Sequence, residues 1–241
     1  MPPNLPKPTW IQSSKGWLIE NLEPVLSAPR SPLAPRIEAR AAETQKLGAR
    51  PLWDGYTGPK VGAGYTAVAS RSSDQVRTGA AYGNAYSALA ASRRPAAIVE
   101  FGTAFGVSGM YWLAGLEAAE HGHLYTFEPN DDWSPIAKTN LEAISPRFTL
   151  TRGTFEANAS SVLTPRSVDL AFIDAIHTSA FVFAQFAVLK PFLTPSAIVV
   201  FDDINFSPDM EACWNTIAAS EGVLASAAIG RRAGIVELDG R

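Results

Sequence analysis

The chain predicts an α/β fold: a doubly wound sheet, mostly parallel, closed by an antiparallel hairpin. Three observations carry that expectation. From about Ser73 onward, short β-type runs alternate with helix-length stretches. The runs Val168–Asp174 (VDLAFID) and Ala197–Phe201 (AIVVF) are almost wholly apolar, as strands covered on both faces are. The last two runs, Val223–Ile229 and Gly234–Leu238, are separated only by the loop 230–233 and fit a hairpin.

Taken in order, the chain opens on a proline-rich stretch, with Pro2, Pro3, Pro6, Pro8, Pro24, Pro29, Pro32 and Pro35 before residue 36. Such density opposes regular structure, although Trp17, Leu18, Ile19 and Leu22 suit one short helix. Trp10, Trp17 and Trp53 call for burial, on the main domain or on a second subunit, so a homo-oligomer is an open expectation. A polar helix over 36–47 follows, with Pro35 at its start and Gly48 as its stop. Residues 50–64 (RPLWDGYTGPKVGAG) read as a connector or a lid. Residues 1–69 are therefore expected to form a helical and looped extension, and residues 70–241 the main domain. Within that domain Ser73 to Ala91 predicts one helix, capped by Ser73, with Val76, Ala80, Tyr82, Ala85 and Leu89 on its apolar face. Ile98 and Val99 begin a strand, Gly102 and Gly106 make a turn, Met110 to Ala119 a helix, and Leu124 to Phe127 a second strand with Glu128 at its end. A helix over 135–144 and a strand over 148–151 follow. The turn Arg152-Gly153-Thr154-Phe155 then leads away. Ser179 to Leu193 and Pro208 to Ser220 complete the helices, the latter carrying Met210, Trp214 and Ile217.

Composition excludes several functions. The chain has 241 residues, 46% hydrophobic and 18% charged, enough for one domain with a sizeable core. Its net charge of -3, with no basic cluster interleaved with aromatics, gives no footprint for nucleic acid. The lone Cys213 excludes an intrachain disulfide and a cysteine-rich zinc site. The start lacks an apolar signal segment and no apolar run reaches membrane-spanning length, so the expectation is a soluble cytoplasmic protein with no membrane partner.

The stretch Ile98 to Asn130 carries the first functional motif. Glycine lets backbone approach a ligand, a helix start presents free N–H groups, and a carboxylate at the next strand's end can accept from both hydroxyls of a ribose. This describes a nucleoside site at the carboxyl ends of parallel strands. A dinucleotide site needs G-x-G-x-x-G. Here the pattern is Glu100-x-Gly102-x-x-x-Gly106-x-Ser108, and the charge of Glu100 suits an amino-acid or sulfonium ligand better than a pyrophosphate.

That pattern resembles the first motif of class I S-adenosylmethionine (SAM) methyltransferases, in particular the catechol-O-methyltransferase-like branch. The order of elements from about Ser70 is similar to that family's Rossmann-like seven-stranded fold. The resemblance implies a SAM site formed by Glu100, Gly102, Thr103, Gly106, Ser108 and Glu128. It places Gly153 and Thr154 beside the adenine, with a threonine where the family often has an acid. Asp174 is counted with the cofactor-binding set as well. It also puts Arg71, Gln75 and Arg77 near the methionine end, although surface charge explains them equally.

A second constellation lies at later strand tips: Asp174, Asp202 and Asp203. Converging carboxylates repel unless a cation sits between them, and hard oxygen donors suit a divalent ion such as Mg²⁺. Loop capping is the bland explanation for such acids. His177 follows Asp174 by three positions and titrates in the range needed for proton removal near neutral pH; His121 and His123 sit in a polar turn and read as surface residues. The pattern FIDAIH…FDDI resembles metal-dependent O-methyltransferases of the macrolide-sugar and cephamycin-tailoring type. The resemblance implies Asp174, Asp202 and Asp203 as metal ligands, His177 as the base, and a hydroxylated small molecule as the acceptor, with Phe206, Trp214, Trp53 and Tyr56 as candidate aromatic contacts. Three alternatives stay open: an NAD-dependent oxidoreductase, a methyltransferase that needs no metal, and a catalytically silent scaffold.

Overall fold

In this computed structural model, which describes residues 5–53, 70–174 and 176–239, the chain begins with β1 (Thr9–Ser13), α1 (Trp17–Leu26) and α2 (Ala34–Gln45). A two-stranded arm follows, β2 (Arg50–Pro51) against β3 (Ser70–Arg71). Next come α3 (Ser73–Val76), α4 (Ala80–Arg93), β4 (Ala97–Phe101), α5 (Val107–Ala119) and β5 (His123–Glu128). The chain continues through α6 (Ser134–Glu142), β6 (Phe148–Arg152), α7 (Phe155–Val162), β7 (Val168–Ile173) and α8 (Ser179–Leu189). It closes with β8 (Leu193–Phe201), α9 (Pro208–Ala218), β9 (Val223–Ile229) and β10 (Ala233–Leu238).

The main sheet has eight strands in the order β1-β9-β10-β8-β7-β4-β5-β6. Pairing is parallel from β8 to β6 and antiparallel among β8, β10, β9 and β1. The expected doubly wound sheet with its closing hairpin is thus present. The eighth strand, β1, comes from the proline-rich start: it pairs antiparallel with β9, Thr9 facing Ala228 and Ser13 facing Ala225, with an irregularity between Trp10 and Gln12. An edge strand tolerates prolines just outside it, which is why Pro6 and Pro8 do not prevent pairing.

Residues 9–45 therefore add a strand and two helices to the same core, where the sequence led us to expect only an appendage. Leu18, Leu22 and Val25 of α1 and Ile37 and Ala41 of α2 are buried. Trp10 and Trp17 pack against that cluster, so they dock on their own chain. Pro24 lies inside α1, near its C-terminal end, where it forfeits one helix hydrogen bond without ending the helix. Glu237 of β10 anchors the start of α1: its carboxylate accepts from the N–H groups of Trp17 and Leu18 at 3.0 and 2.8 Å. The lid suggested for residues 50–64 falls largely on 54–69, outside the described residues, as does Tyr56.

Two apolar layers sandwich the sheet. One face buries Ile98, Leu124, Leu170 and Ile198 under α1, α2, α4 and α5. The other buries Val99, Phe101, Ala171 and Val199 under α7, α8 and α9. α5 is buried almost all round, Val107 to Leu116, because it lies between the sheet and α4. Their approach is set by Gly115, where a Cβ would fall 2.3 Å from the Ser87 carbonyl oxygen. Stacked Tyr86 and Trp112, with ring centroids 4.8 Å apart, continue this contact.

The expected single helix over 73–91 is two. Arg77 is extended (ψ 149°), which breaks it, and Ser72 rather than Ser73 caps α3 in a reciprocal box with Gln75. α7, which Thr154 caps by accepting from the Ala157 N–H, was not expected from the sequence. α8 ends earlier than expected, with a turn of 3₁₀ helix at Lys190–Phe192 containing Pro191, and β8 begins at Leu193.

Candidate active site

The order of the parallel strands reverses between β4 and β7, and ligand crevices form outside the carboxyl ends of strands at such a point. A cavity of about 350 Å³ lies there, within the range of small-molecule sites. Its walls come from the loops after β4, β5, β6, β7 and β8, from the β9–β10 turn and from the segment around α3.

The loop after β4 supplies Gly102, Thr103, Ala104, Phe105, Val107 and Ser108 to the wall. Gly102, at φ +79°, turns the backbone out of β4, and its N–H and that of Thr103 still bond the Phe127 carbonyl at 3.3 and 3.2 Å. Val107 and Ser108 open α5 on the wall, where a helix leaves its first N–H groups unpaired. Glu128, at the tip of β5, faces the same space. One carboxylate oxygen accepts from Ala104 N–H at 2.7 Å and the other from Asn130 N–H at 2.8 Å. Burial pushes its pKa up to about 7.

Not every expected cofactor residue reaches the cavity. Glu100 is completely buried and does not line it. It shares the Ile98 face of β4, beneath α5, where it accepts from the Thr126 hydroxyl at 2.7 Å. Burial raises its pKa to about 7. The idea that its charge faces a ligand is therefore corrected. Gly106 is also off the wall; it caps α5 in the left-handed region (φ +85°), and a Cβ there would lie 3.2 Å from the Ala137 carbonyl oxygen of α6. Gly153 is set back too, its N–H bonded to the Glu128 carbonyl. Thr154 does line the cavity, with its hydroxyl committed to capping α7. Arg71, Gln75 and Arg77 line it as well. Gln75 is turned back onto the Ser72 N–H and Arg77 is paired with Glu38 at 3.0 Å.

Across the cavity stand Asp174, His177, Asp203 and Arg232. His177 Nε2 lies 3.3 Å from Asp203 Oδ2 and 3.9 Å from Asp174 Oδ1. Asp203 adopts the left-handed region (φ +49°) directly after β8, in the turn that brings its carboxylate to the imidazole. Burial holds the His177 pKa below its ordinary value, so the ring is neutral near pH 7. Burial, reinforced by the charges of Asp202 and Asp203, raises Asp174 well above the carboxylate range. Asp203 is raised by burial and by Asp202.

Sequence reasoning missed Arg232. Its Nε reaches the two oxygens of Asp202 at 2.9 and 3.1 Å, its Nη2 reaches Asp202 Oδ2 at 2.6 Å, and its Nε also lies 3.3 Å from Asp203 Oδ1. The hydrogen bonds to Asp202 raise the Arg232 pKa further. The available signal was the pair Arg231-Arg232 in a hairpin loop that must return beside the acid-tipped end of β8. The metal expectation finds no support among the described residues. Asp202 does not line the cavity, both its oxygens are held by a guanidinium, and the described residues contain no cluster of donors that fits a metal ion.

Of the two tryptophans suggested as acceptor contacts, Trp53 lines the cavity, whereas Trp214 is buried against Phe201. Three buried polar atoms on the wall have no hydrogen-bond partner among the described residues: Thr78 Oγ1, Trp133 Nε1 and Gln185 Oε1. Unpaired buried groups of this kind carry a desolvation cost that a bound ligand relieves.

Residues 99–204 match a family model described as a methyltransferase domain. Solved structures agree in fold. An O-methyltransferase from Streptomyces achromogenes, TomG, involved in tomaymycin synthesis and solved with SAM, superposes with a TM-score of 0.60 at 18% identity, covering 83% of this chain and 90% of that one. An O-methyltransferase from Bacillus cereus in complex with S-adenosylhomocysteine (SAH) gives 0.59 at 18% identity, covering 93% and 97%. A methyltransferase of Podospora anserina bound to SAH gives 0.57 at 15% identity, covering 88% and 98%. No curated protein sequence matches the chain significantly. Among the described residues no helix is long and apolar enough to cross a membrane.

Proposed function

We propose that this methyltransferase domain uses SAM to methylate a hydroxyl oxygen of a small molecule. One observation carries the reading: the carboxylate of Glu128 and the His177–Asp203 pair face a single cavity at the strand-order switch. The residues present fit the cofactor. Glu128 supplies acceptors for two ribose hydroxyls, and Val107 and Ser108 supply the start of a helix. Thr78 and Trp133 supply unpaired polar atoms, and Phe127, Pro129 and Phe155 supply an apolar wall suited to a base. The SAM-bound and SAH-bound neighbours support the same reading.

When bound, SAM supplies a methyl group on a sulfonium, which becomes a neutral thioether when an oxygen takes the methyl. The chain's own residues prepare that oxygen. Asp203 Oδ2 lies 3.3 Å from His177 Nε2, where a carboxylate orients the imidazole and favours Nδ1 as the basic nitrogen. Neutral His177 then takes the hydroxyl proton. Burial and the neighbouring acids raise the Asp174 pKa, which favours its carboxyl as a donor beside the acceptor. Ile176, Phe181 and Phe206 form an apolar side near His177 that suits a ring or the face of a sugar; Phe206 stands 5.3 Å from the imidazole. A divalent metal does not fit this donor set, so no step runs through one.

Calorimetric titration of SAH tests the reading. Binding should be micromolar, be lost in Glu128→Ala and persist in His177→Ala, while His177→Ala abolishes methyl transfer from SAM to hydroxylated acceptors. Absence of SAH binding would overturn the proposal.

A further inference from the structure

We infer that Arg232 occupies the position a divalent cation would otherwise fill and holds the acceptor's oxygen beside His177, so that the transfer runs without a metal. The inference rests on the methyltransferase reading above and concerns the same cavity.

The geometry is specific to a guanidinium. Nε and Nη2 form a fork on the Asp202 carboxylate, the bidentate arrangement that a planar guanidinium makes and an ammonium cannot. The same Nε touches Asp203, which also holds His177. Arg232 is thus locked to both members of the acid pair, and through Asp203 it has a fixed relation to the imidazole. The third nitrogen, Nη1, has no hydrogen-bond or ion-pair partner among the described residues, and Arg232 lines the cavity. It is placed to donate to an oxygen that bears growing negative charge as its proton leaves for His177 Nδ1. A fixed donor aimed at developing charge in a water-poor site needs no reorganisation as the reaction proceeds.

The ion pairs agree: one guanidinium lies 2.6 Å from Asp202 and 3.3 Å from Asp203. A divalent ion entering this cluster would meet the guanidinium at contact distance and find Asp202 already engaged at both oxygens. The arrangement also explains why the acids can converge without the cation that the sequence pattern led us to expect.

Mn²⁺ is the probe, followed by electron paramagnetic resonance on the SAH-loaded protein. SAH binding is measured first, so failure of the cofactor reading registers separately. Wild type is expected to leave the free Mn²⁺ signal undiminished, and Arg232→Lys, which keeps the charge, is expected to do the same. Arg232→Met, which frees Asp202 and Asp203, is expected to bind Mn²⁺ about tenfold or more tightly than wild type. Saturable Mn²⁺ binding by wild type that is lost in Asp203→Asn would overturn the inference while leaving SAH binding, and with it the methyltransferase reading, intact. This arm uses the unaltered protein as its reference, so it holds even if Arg232→Met does not fold.

Discussion

Glu100 offers a prediction whose size follows from its surroundings. It is fully buried under α5, one oxygen bonded to the Thr126 hydroxyl and the other, Oε1, without a partner among the described residues. Its pKa rises from an ordinary 4.5 to about 7 in the folded protein, first because of burial. An acid raised on folding holds its proton in the native state where the unfolded chain has already lost it. Its stability contribution is therefore complete below 4.5 and declines as pH rises through about 7. At 1.36 kcal/mol per pH unit the decline is roughly 3 kcal/mol. Glu100→Gln cannot ionise and lacks this decline. Guanidinium unfolding of both proteins across that pH range should show the stability difference, wild type minus variant, becoming less favourable to wild type by about 3 kcal/mol on going to alkaline pH. In a protein of this length that corresponds to a relative shift in Tm of roughly 10 °C. Glu128 titrates in both proteins and cancels from the comparison. Parallel pH profiles for wild type and Glu100→Gln would refute the reasoning and show that Glu100 is charged in the fold.

Four further outcomes follow from the structure. SAH affinity should rise roughly tenfold between about pH 6 and pH 8 as Glu128 ionises and becomes a full acceptor for ribose hydroxyls, and Glu128→Gln should show a flat profile in calorimetry. His177→Ala should lower kcat by about 10²- to 10⁴-fold with SAH binding unchanged, and Asp203→Asn should lower it by a smaller factor and alter the pH–rate profile, read by transfer of labelled methyl groups. Gly115→Val should cost about 3 kcal/mol or more in denaturant unfolding, because its side chain would collide with the Ser87 carbonyl where α4 meets α5. Removing residues 1–26 should produce concentration-dependent association in light scattering, since it bares the edge of β9 and leaves the Glu237 carboxylate without the N–H groups of Trp17 and Leu18.

The elements legible in the sequence are those whose cause is local. β4, β7 and β8 are apolar runs because both faces of the central sheet are covered, and α5 is bounded by a glycine turn. Glu128 at the tip of β5 and His177 after β7 were legible for the same reason: once strand ends are known, the residues just beyond them share the crevice. What escaped depends on distant partners. β1 exists because β9 offers it an edge, and Arg232 turns toward Asp202 from 30 positions away. Glu100 is a different case. Alternation along β4 places it with Ile98 and opposite Val99 and Phe101, so its inward orientation was present in the period-2 pattern and obscured by attention to its charge.

The pairing of β1 with β9 has a consequence for how the molecule is made. Gln12 donates to the Ser226 hydroxyl across 214 positions of the chain. During synthesis β1 leaves the ribosome long before the strand that will receive it. Trp10, Trp17 and Leu18 therefore wait, uncovered, while most of the sheet is translated, and closing so large a loop is slow compared with local pairing. β1 docks only after β9 has emerged, which makes an early segment of the chain a late one to find its place.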